Sequence, residues 1–302
     1  MSTVLASAGY ALLAGAVAPY ALVRAGWTHR APAAAVLAWQ ALALSFVVAT
    51  ALAVCHLLLA GRSAHQWLTG LLSACGEAVG AAAWGSLSPA GASLLLVPAG
   101  VVLLPLGLLA GTAWRARRER RRHADLLLMI GTEAPGYGAT VVEHAVPAVY
   151  CLPGRDRRVV VTRGALDVLT GEQVRAVLAH ERAHLRGRHH LPLLAAGAFA
   201  AAFPGLPLAR RVRGQTALLL EMAADDRALR SHSRDALATA LCEVAAGRAP
   251  RAGLGAGGPD TLVRLHRILD PQAGPSRAAR LGIVAASFTA PVLPLLLGCG
   301  PL

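Results

Sequence analysis

The stretch TGEQVRAVLAHERAHL, residues 170–185, determines how the centre of this sequence is interpreted. Thr170 is followed three residues later by Gln173, which is the capping-box pattern of a helix N-terminus. Apolar side chains then recur at helical spacing at Val174, Val177, Leu178 and Leu185. The pattern predicts a helix over about 171–190.

His180, Glu181 and His184 form the motif HExxH inside this predicted helix. Residues four apart lie on one helix face, so both imidazoles can reach one tetrahedral zinc ion. Zinc lowers the pKa of a bound water to about 7, and Glu181 is placed to take that proton during attack on a peptide carbonyl. The motif therefore predicts a catalytic zinc site with Glu181 as the base.

Glu221 is the first choice for a third ligand. It is followed four residues later by Asp225, so both carboxylates share a helix face. Asp225 could accept a hydrogen bond from a liganding imidazole and fix its tautomer. The small Ala223 and Ala224 would let this helix approach the HExxH helix closely.

His190 is the alternative third ligand. Together with Gly187 it extends the motif to HExxHxxGxxH, the metzincin pattern. Metzincins also need a methionine turn beneath the metal, and Met222, the only downstream methionine, lies in a helical pattern. Glu221 is therefore preferred and His190 stays open.

Residues 191–209 test the choice between these ligands. The segment is apolar and long enough to cross a membrane, but Pro192, Pro204 and Pro207 interrupt it. A single crossing would place His180 and Glu221 on opposite sides. If Glu221 is a ligand, the segment must be a buried or membrane-dipping hairpin.

The remaining apolar runs predict about four transmembrane helices. Hydrophobic residues make up 55% of the 302 residues and the mean hydropathy is +0.52. The runs nearly free of charge are each close to the roughly 20 residues that cross a bilayer. They are about 4–23, 34–59, 92–113 and 281–298.

Basic residues set the predicted orientation. Loop 24–30 contains two arginines and no acid, and six arginines lie within Arg115–Arg122. Positive loops stay inside, so we expect the N-terminus outside and residues 114–278 in the cytoplasm. The same rule explains the net charge of +13, and no direct contact with nucleic acid is expected. The predicted partners are membrane lipid and a protein or peptide substrate.

These inferences give three predicted domains and a fold class. Residues 1–113 form an N-terminal membrane domain, 114–278 a cytoplasmic zinc peptidase domain, and 279–302 a C-terminal transmembrane helix. Within the second, Val141–Leu152 and Val159–Thr162 flank a Pro-Gly turn and predict paired strands. Further helices are predicted at about 215–230 and from near Ser233 and Asp260. The fold class is a mainly α membrane protein with a cytoplasmic α+β metallopeptidase domain.

Several side chains have no settled role from sequence. His144, Tyr150 and His232 are candidates to stabilise the transition state, and Val141–Leu152 could supply an edge strand that pairs with an extended substrate. The five cysteines show no metal or redox spacing. A Cys75–Cys299 disulfide is an open prediction, and the other three thiols are expected to be buried.

Two stretches of the chain resemble a known family. The run Val159–Leu185, with Glu221–Asp225 downstream, looks like the membrane gluzincins of the BlaR/MecR antirepressor type, over about 140–245. Peptidases like HtpX and the CAAX proteases are the nearby alternative. The resemblance implies a zinc peptidase domain facing the cytoplasm, with His180, His184 and Glu221 as ligands, Glu181 as base and Asp225 behind them.

The resemblance also suggests a biological role. In antirepressors a signal sensed outside leads to cleavage of a cytoplasmic repressor, here one of the BlaI/MecI type. Only about four residues follow the last predicted helix, so we expect no outer sensor domain and a signal entering through loop 61–91 or a partner. A quality-control protease of the HtpX kind and a non-catalytic zinc-binding receptor or scaffold are alternatives. The intact Glu181 argues against the non-catalytic one.

Overall fold

The computed structural model describes residues 2–58, 96–154, 157–248 and 259–299. Loop 61–91, including Cys75, lies outside the described residues, and so does the side chain of Cys299. The predicted disulfide and the predicted route for a signal therefore stay predictions.

The N-terminal part is a pair of long apolar helical stretches. The first consists of α1 (Ser2–Leu12), a π-helical turn (Leu13–Val17) and α2 (Ala18–Arg24). After the single turn α3 (Trp27–Arg30), the second is α4 (Pro32–Leu58). Both are long and apolar enough to cross a membrane, as the first two predicted spans require.

Helix α5 (Leu96–Ile130) is the third such helix among the residues that the structure describes. It does not end at residue 113, where the predicted span ended, but continues through the arginine run for 35 residues in all. Arginine, alanine, leucine and glutamate are strong helix formers, so the change from apolar to charged residues need not end the helix. The helix thus links the membrane part to the segment that follows.

A four-stranded sheet follows α5. Its strands are β1 (Gly131–Ala134), β2 (Ala139–Val142), β3 (Val149–Leu152) and β4 (Arg158–Thr162), in the order β1-β2-β4-β3. β2 is parallel to β4, and the other two pairs are antiparallel. The pairing of β3 with β4 confirms the predicted hairpin.

The predicted strand Val141–Leu152 is wrong as a single element, because it is broken into β2 and β3. The loop between them folds over Thr162, whose hydroxyl donates to Val146 O and accepts from Ala148 N, both at 2.9 Å. The loop also passes so close to Gly164 that a Cβ there would lie 2.0 Å from Ala145 O. These hydrogen bonds give polar backbone groups of the loop a partner outside the sheet, so the loop need not continue as a strand.

Six helices form most of the remaining chain. They are α6 (Arg163–Val168), α7 (Gly171–Arg186), α8 (His190–Ala202), α9 (Pro207–Ala228), α10 (Arg234–Arg248) and α11 (Pro259–Leu269). The predicted capping box of α7 is confirmed. Gln173 N donates to Thr170 Oγ1 at 3.4 Å, and Thr170 N donates to Gln173 Oε1 at 2.8 Å.

Helices α8 and α9 form a hairpin, so residues 191–209 are divided between two helices that pack against each other, as a buried or membrane-dipping segment requires. The chain reverses over residues 203–206, where Gly205 adopts a φ of +87° that favours glycine. Both helices pack on α4 in one core that includes Trp39, Phe199, Leu219 and Met222. Met222 is fully buried within α9 and does not belong to a methionine turn.

The predicted fourth span is not one continuous helix. It is divided into α12 (Arg277–Thr289) and α13 (Leu293–Cys299), which pack against α4 and α1. The break contains Pro291, which has no amide hydrogen to continue the helix. The Tyr10 hydroxyl donates to Ala290 O at 2.8 Å and satisfies a carbonyl at the break.

Candidate metal centre

Helix α7 carries the HExxH motif and is held by the sheet. Its apolar face, formed by Val174, Val177 and Leu178, packs on Val159 and Val161 of β4. Because side chains at positions i and i+4 share a face, His180 and His184 both lie toward α9. The amphipathic pattern that predicts the helix therefore also determines that both histidines face α9 when the apolar face packs on the sheet.

His180, His184 and Glu221 converge on one point. The two Nε2 atoms are 3.1 Å apart. Glu221, on α9, places Oε2 at 3.4 Å from His180 Nε2 and Oε1 at 3.4 Å from His184 Nε2. One ligand atom from each residue lies within 4.8 Å of the other two, close enough to hold a metal ion.

Asp225 and Arg264 surround this group. His180 Nδ1 lies 2.9 Å from Asp225 Oδ1. Arg264, on α11, donates from Nε and Nη2 to both oxygens of Asp225 at 2.9 and 2.8 Å. Its Nη1 lies 2.9 Å from Glu221 Oε2. One buried guanidinium thus fixes both carboxylates of α9.

The electrostatics of this group in the metal-free protein follow from these contacts. Burial alone would lower the pKa of His180, but its contacts with Asp225 and Glu221 raise it to about 9. Burial dominates at His184 and lowers its pKa to about 4. Burial opposes ionisation of Glu221, yet His180 and Arg264 lower its pKa to about 2. The third ligand candidate is therefore a carboxylate at neutral pH.

Glu181 lies next to His180 on α7 and approaches Cys151 of β3. Its carboxylate lies within hydrogen-bonding reach of Cys151. Burial raises the pKa of Glu181, and the nearby charge of Glu221 adds to this. A raised carboxyl pKa favours uptake of a proton near neutral pH, as a general base requires.

Family comparison agrees with this geometry. The family model described as Peptidase family M48 matches residues 113–272, which is more than half of the chain. The chain belongs to Peptidase family M48. No curated protein and no solved structure matches it. An M48 member is a metallopeptidase, and three long apolar helices indicate that this one is membrane-anchored.

The donor set of this M48 chain fits zinc. Two imidazoles and one carboxylate are the protein ligands of one class of catalytic zinc site, which leaves a fourth position for water or substrate. Asp225, whose Oδ1 lies 2.9 Å from His180 Nδ1, is placed where zinc-binding imidazoles usually have their outer hydrogen-bond partner. Nothing in the set is a soft thiolate, since Cys151 lies beside Glu181 and not among the three donors.

His190 does not join the group. Among the described residues, the one cluster able to hold a metal contains Glu221 and not His190, which is the first residue of α8. Its neighbour His189 is the one that approaches, with Nδ1 at 2.8 Å from His184 Nδ1. The metzincin spacing in the sequence therefore does not place His190 beside the other two histidines, because α7 ends at Arg186 and the chain turns there.

The three candidate stabilisers lie in different places. Tyr150 faces away from Cys151 on the strand, and its hydroxyl lies 2.9 Å from His123 Nε2 of α5. His144 is exposed in the β2–β3 loop, where its Nδ1 accepts from Val146 N at 3.1 Å. His232 lies beyond the C-terminal end of α9, and that end of the helix is about 10 Å from Glu221 along the helix axis. The role of these three residues in stabilising the transition state stays a prediction.

Sequence reasoning missed three residues at this site: Arg264, Cys151 and His189. Arg264 is one of 29 basic residues and is far from the motif in the chain, so no local pattern distinguishes it. The proximity of Cys151 to Glu181 can be inferred only once the position and register of β3 in the sheet are known. His189 lies beside His190 at the end of the predicted helix, where a polar residue is usually exposed, but it is partly buried.

Proposed function

We propose that this chain is a membrane-embedded zinc-dependent endopeptidase that hydrolyses peptide bonds of a cytoplasmic or membrane-proximal protein. The observation that carries the proposal is the convergence of His180, His184 and Glu221 with Glu181 next to the first of them. In the proposed topology the N-terminus is outside and the peptidase segment is cytoplasmic. The arginine run near the start of that segment supports this orientation.

Each residue at the site has a distinct proposed role. The two Nε2 atoms and the Glu221 carboxylate would hold zinc, which supplies a Lewis acid for the substrate carbonyl and for water. Glu181 accepts the proton of the attacking water and passes it to the leaving amine. Asp225 holds the His180 ring in place, and Arg264 holds Asp225 and Glu221.

Strand β3 is the proposed main-chain docking element for substrate. It is an outer strand of the sheet, and within the described residues no strand pairs with its second side, where an extended peptide could add. Cys151 of β3 lies at Glu181, so a peptide added to this edge would pass the proposed base. This narrows the sequence-based proposal of an edge strand from Val141–Leu152 to Val149–Leu152.

Two substrate classes fit this geometry. The resemblance to antirepressors suggests a BlaI/MecI-type repressor as a specific substrate. An open edge strand recognises main chain and not sequence, which favours broad cleavage of unfolded proteins, as in a quality-control protease. An unfolded, carboxymethylated test protein, compared with the same protein folded, distinguishes the two. Cleavage of only the unfolded form supports the quality-control role.

The main test compares Glu181→Gln, Glu221→Ala and His190→Ala with the unmodified full chain in detergent. Zinc content and peptide hydrolysis are measured on each. We expect Glu181→Gln to keep zinc and lose hydrolysis, and Glu221→Ala to lose zinc. His190→Ala should keep both and serves as the matched histidine control. Full zinc occupancy in Glu221→Ala, with loss in His190→Ala, would overturn the ligand assignment. Undiminished hydrolysis by Glu181→Gln would overturn the role of Glu181.

A further inference from the structure

A cavity of about 620 Å³ lies beside the metal centre, lined in part by residues of α4, α7, α9 and α12. Four separate segments contribute arginines to its wall: the single turn α3, the end of α7, the end of α9 with the residues just after it, and the start of α12. These side chains are Arg30, Arg186, Arg227, Arg230 and Arg280. A second cavity, of about 810 Å³, adjoins it and shares three of these arginines.

Among the described residues, arginines outnumber carboxylates in the lining of this cavity by five to one. Asp226 is the one acidic residue in its lining, and Arg267 already binds it, with Nη2 at 2.7 Å from Oδ1. None of the five lining arginines lies within 4 Å of a carboxylate oxygen in the described parts of the chain. Five cations that converge on one concave surface attract an anion strongly.

The cavity wall is held together by specific bonds. Arg267 Nε donates to His29 O at 2.7 Å, so the same guanidinium that binds Asp226 also fixes α3, the turn before α4. Across the cavity, Arg280 lies against Gly274, where a Cβ would come within 2.5 Å of its guanidinium. The five lining arginines are themselves exposed, but they come from four segments and so do not form a single helix face.

The remaining lining is apolar and belongs to helices of the membrane part. Pro32 and Leu37 come from the first turns of α4, one of the helices able to span a membrane, and Val284 comes from the apolar part of α12. The arginines thus lie where these apolar helices begin. A phosphate beside an acyl chain matches this combination, whereas a free phosphate would use only the arginines.

We propose that this cavity binds the phosphate headgroup of an anionic phospholipid. The headgroup contacts Arg227, Arg230 and Arg280, and the acyl chain lies along Leu37 and Val284. His189 also lines the cavity and contacts His184, so the bound lipid would lie directly behind the HExxH helix.

The test titrates the full-length protein, in neutral detergent, with three probes read by native mass spectrometry. The probes are dioctanoyl phosphatidylglycerol, dioctanoyl phosphatidylcholine and inorganic phosphate. We expect phosphatidylglycerol to bind most tightly. The variant Arg227→Gln/Arg230→Gln/Arg280→Gln should weaken its binding by a factor on the order of 10 to 100, given the contribution of each basic residue near an anionic lipid.

The matched control, Arg115→Gln/Arg117→Gln/Arg121→Gln, removes three exposed arginines of the α5 run and should leave the binding unchanged. Equal weakening in the control would show general charge adsorption and overturn the proposal. Equal binding of phosphatidylcholine, or of inorganic phosphate, would also overturn it. Binding of a glutamate-rich peptide in the cavity, without binding of phosphatidylglycerol, would overturn the proposal as well.

A single-site pair keeps the proposal testable if the triple variant does not fold. Arg280→Gln should weaken binding of phosphatidylglycerol, and Arg280→Lys should largely restore it, because lysine keeps the charge. The melting temperature of each variant without lipid reports on folding independently. Unchanged lipid binding in a folded Arg280→Gln protein would count against the cavity.

Discussion

The Nδ1 atom of His180 lies 2.9 Å from Oδ1 of Asp225, although the two residues belong to different helices. This contact fixes the rotation of the imidazole so that Nε2 faces His184 and Glu221. Asp225 is in turn held by two hydrogen bonds from Arg264. The metal centre therefore has an outer layer that orients its ligands before metal binds.

Loss of the Asp225 carboxylate should weaken zinc binding without abolishing it. We expect Asp225→Asn to reduce zinc affinity by about 10- to 100-fold, as for other outer hydrogen-bond partners of metal ligands. Competition with a zinc chelator measures the change. Asp226→Asn, one position along the same helix, is the control, because Asp226 binds Arg267 and not His180. An equal loss in both variants would refute a specific role for Asp225.

Removing Arg264 should destabilise the metal-free protein. Arg264 is 8% exposed, and its loss leaves the carboxylates of Asp225 and Glu221 without their main cationic partner. Breaking a buried ion pair on one side costs about 3–5 kcal/mol. Unfolding of Arg264→Ala, measured in zinc-free buffer, should show a loss of that size. Arg267→Ala, on the same helix, should lose less, and a larger loss there would contradict the prediction.

Zinc binding should release a proton near pH 7.5. The pKa of His180 is raised to about 9 in the metal-free protein, so its ring is protonated there and must become neutral to bind zinc. The pKa of His184 is lowered to about 4, so that ring is already neutral. Titration calorimetry in two buffers of different ionisation enthalpy measures the release. Zinc binding with no proton release at pH 7.5 would show that the His180 pKa is not raised.

The same shift predicts how the stability of the metal-free protein depends on pH. The folded-state pKa of His180 lies above the ordinary value of 6.5 for a histidine, so its stabilising effect is complete below pH 6.5 and is lost as the pH rises through 9. The melting temperature should therefore fall over this interval without zinc. It should fall less with zinc bound, because the metal stabilises the neutral ring.

The cysteines should differ in reactivity. Cys242 is exposed, which corrects the expectation that it is buried. Burial raises the pKa of the Cys151 thiol, and the charge of Glu181 adds to the effect. Thiolate is the reactive form, so iodoacetamide should modify Cys242 at least about tenfold faster than Cys151, as peptide mass spectrometry would show. Glu181→Gln should speed modification of Cys151 and leave Cys242 unchanged. Faster modification of Cys151 in the unmodified protein would contradict this.

Local features of the fold were readable from the sequence. The N-cap at Thr170, the start of α7 and the shared face of His180 and His184 depend on residues within one or two turns of each other. The long apolar helices follow from composition and length alone. Even the pairing of Glu221 with the motif was predicted, because its spacing to Asp225 follows the same helical rule.

Tertiary structure alone decided which of these local features meet. The α8–α9 hairpin brings Glu221 to His180, and His190 does not belong to the metal-binding group. The spacing HExxHxxGxxH by itself would have favoured His190 as the third ligand. Arg264 reaches Asp225 across 39 residues, and Cys151 reaches Glu181 through the strand order of the sheet. Such contacts form when separate segments bury their surfaces together, and their free energy depends on packing and not on any repeat in the chain. The sequence by itself thus determined the two histidines and Glu181, and the packing of the helices determined how they are held.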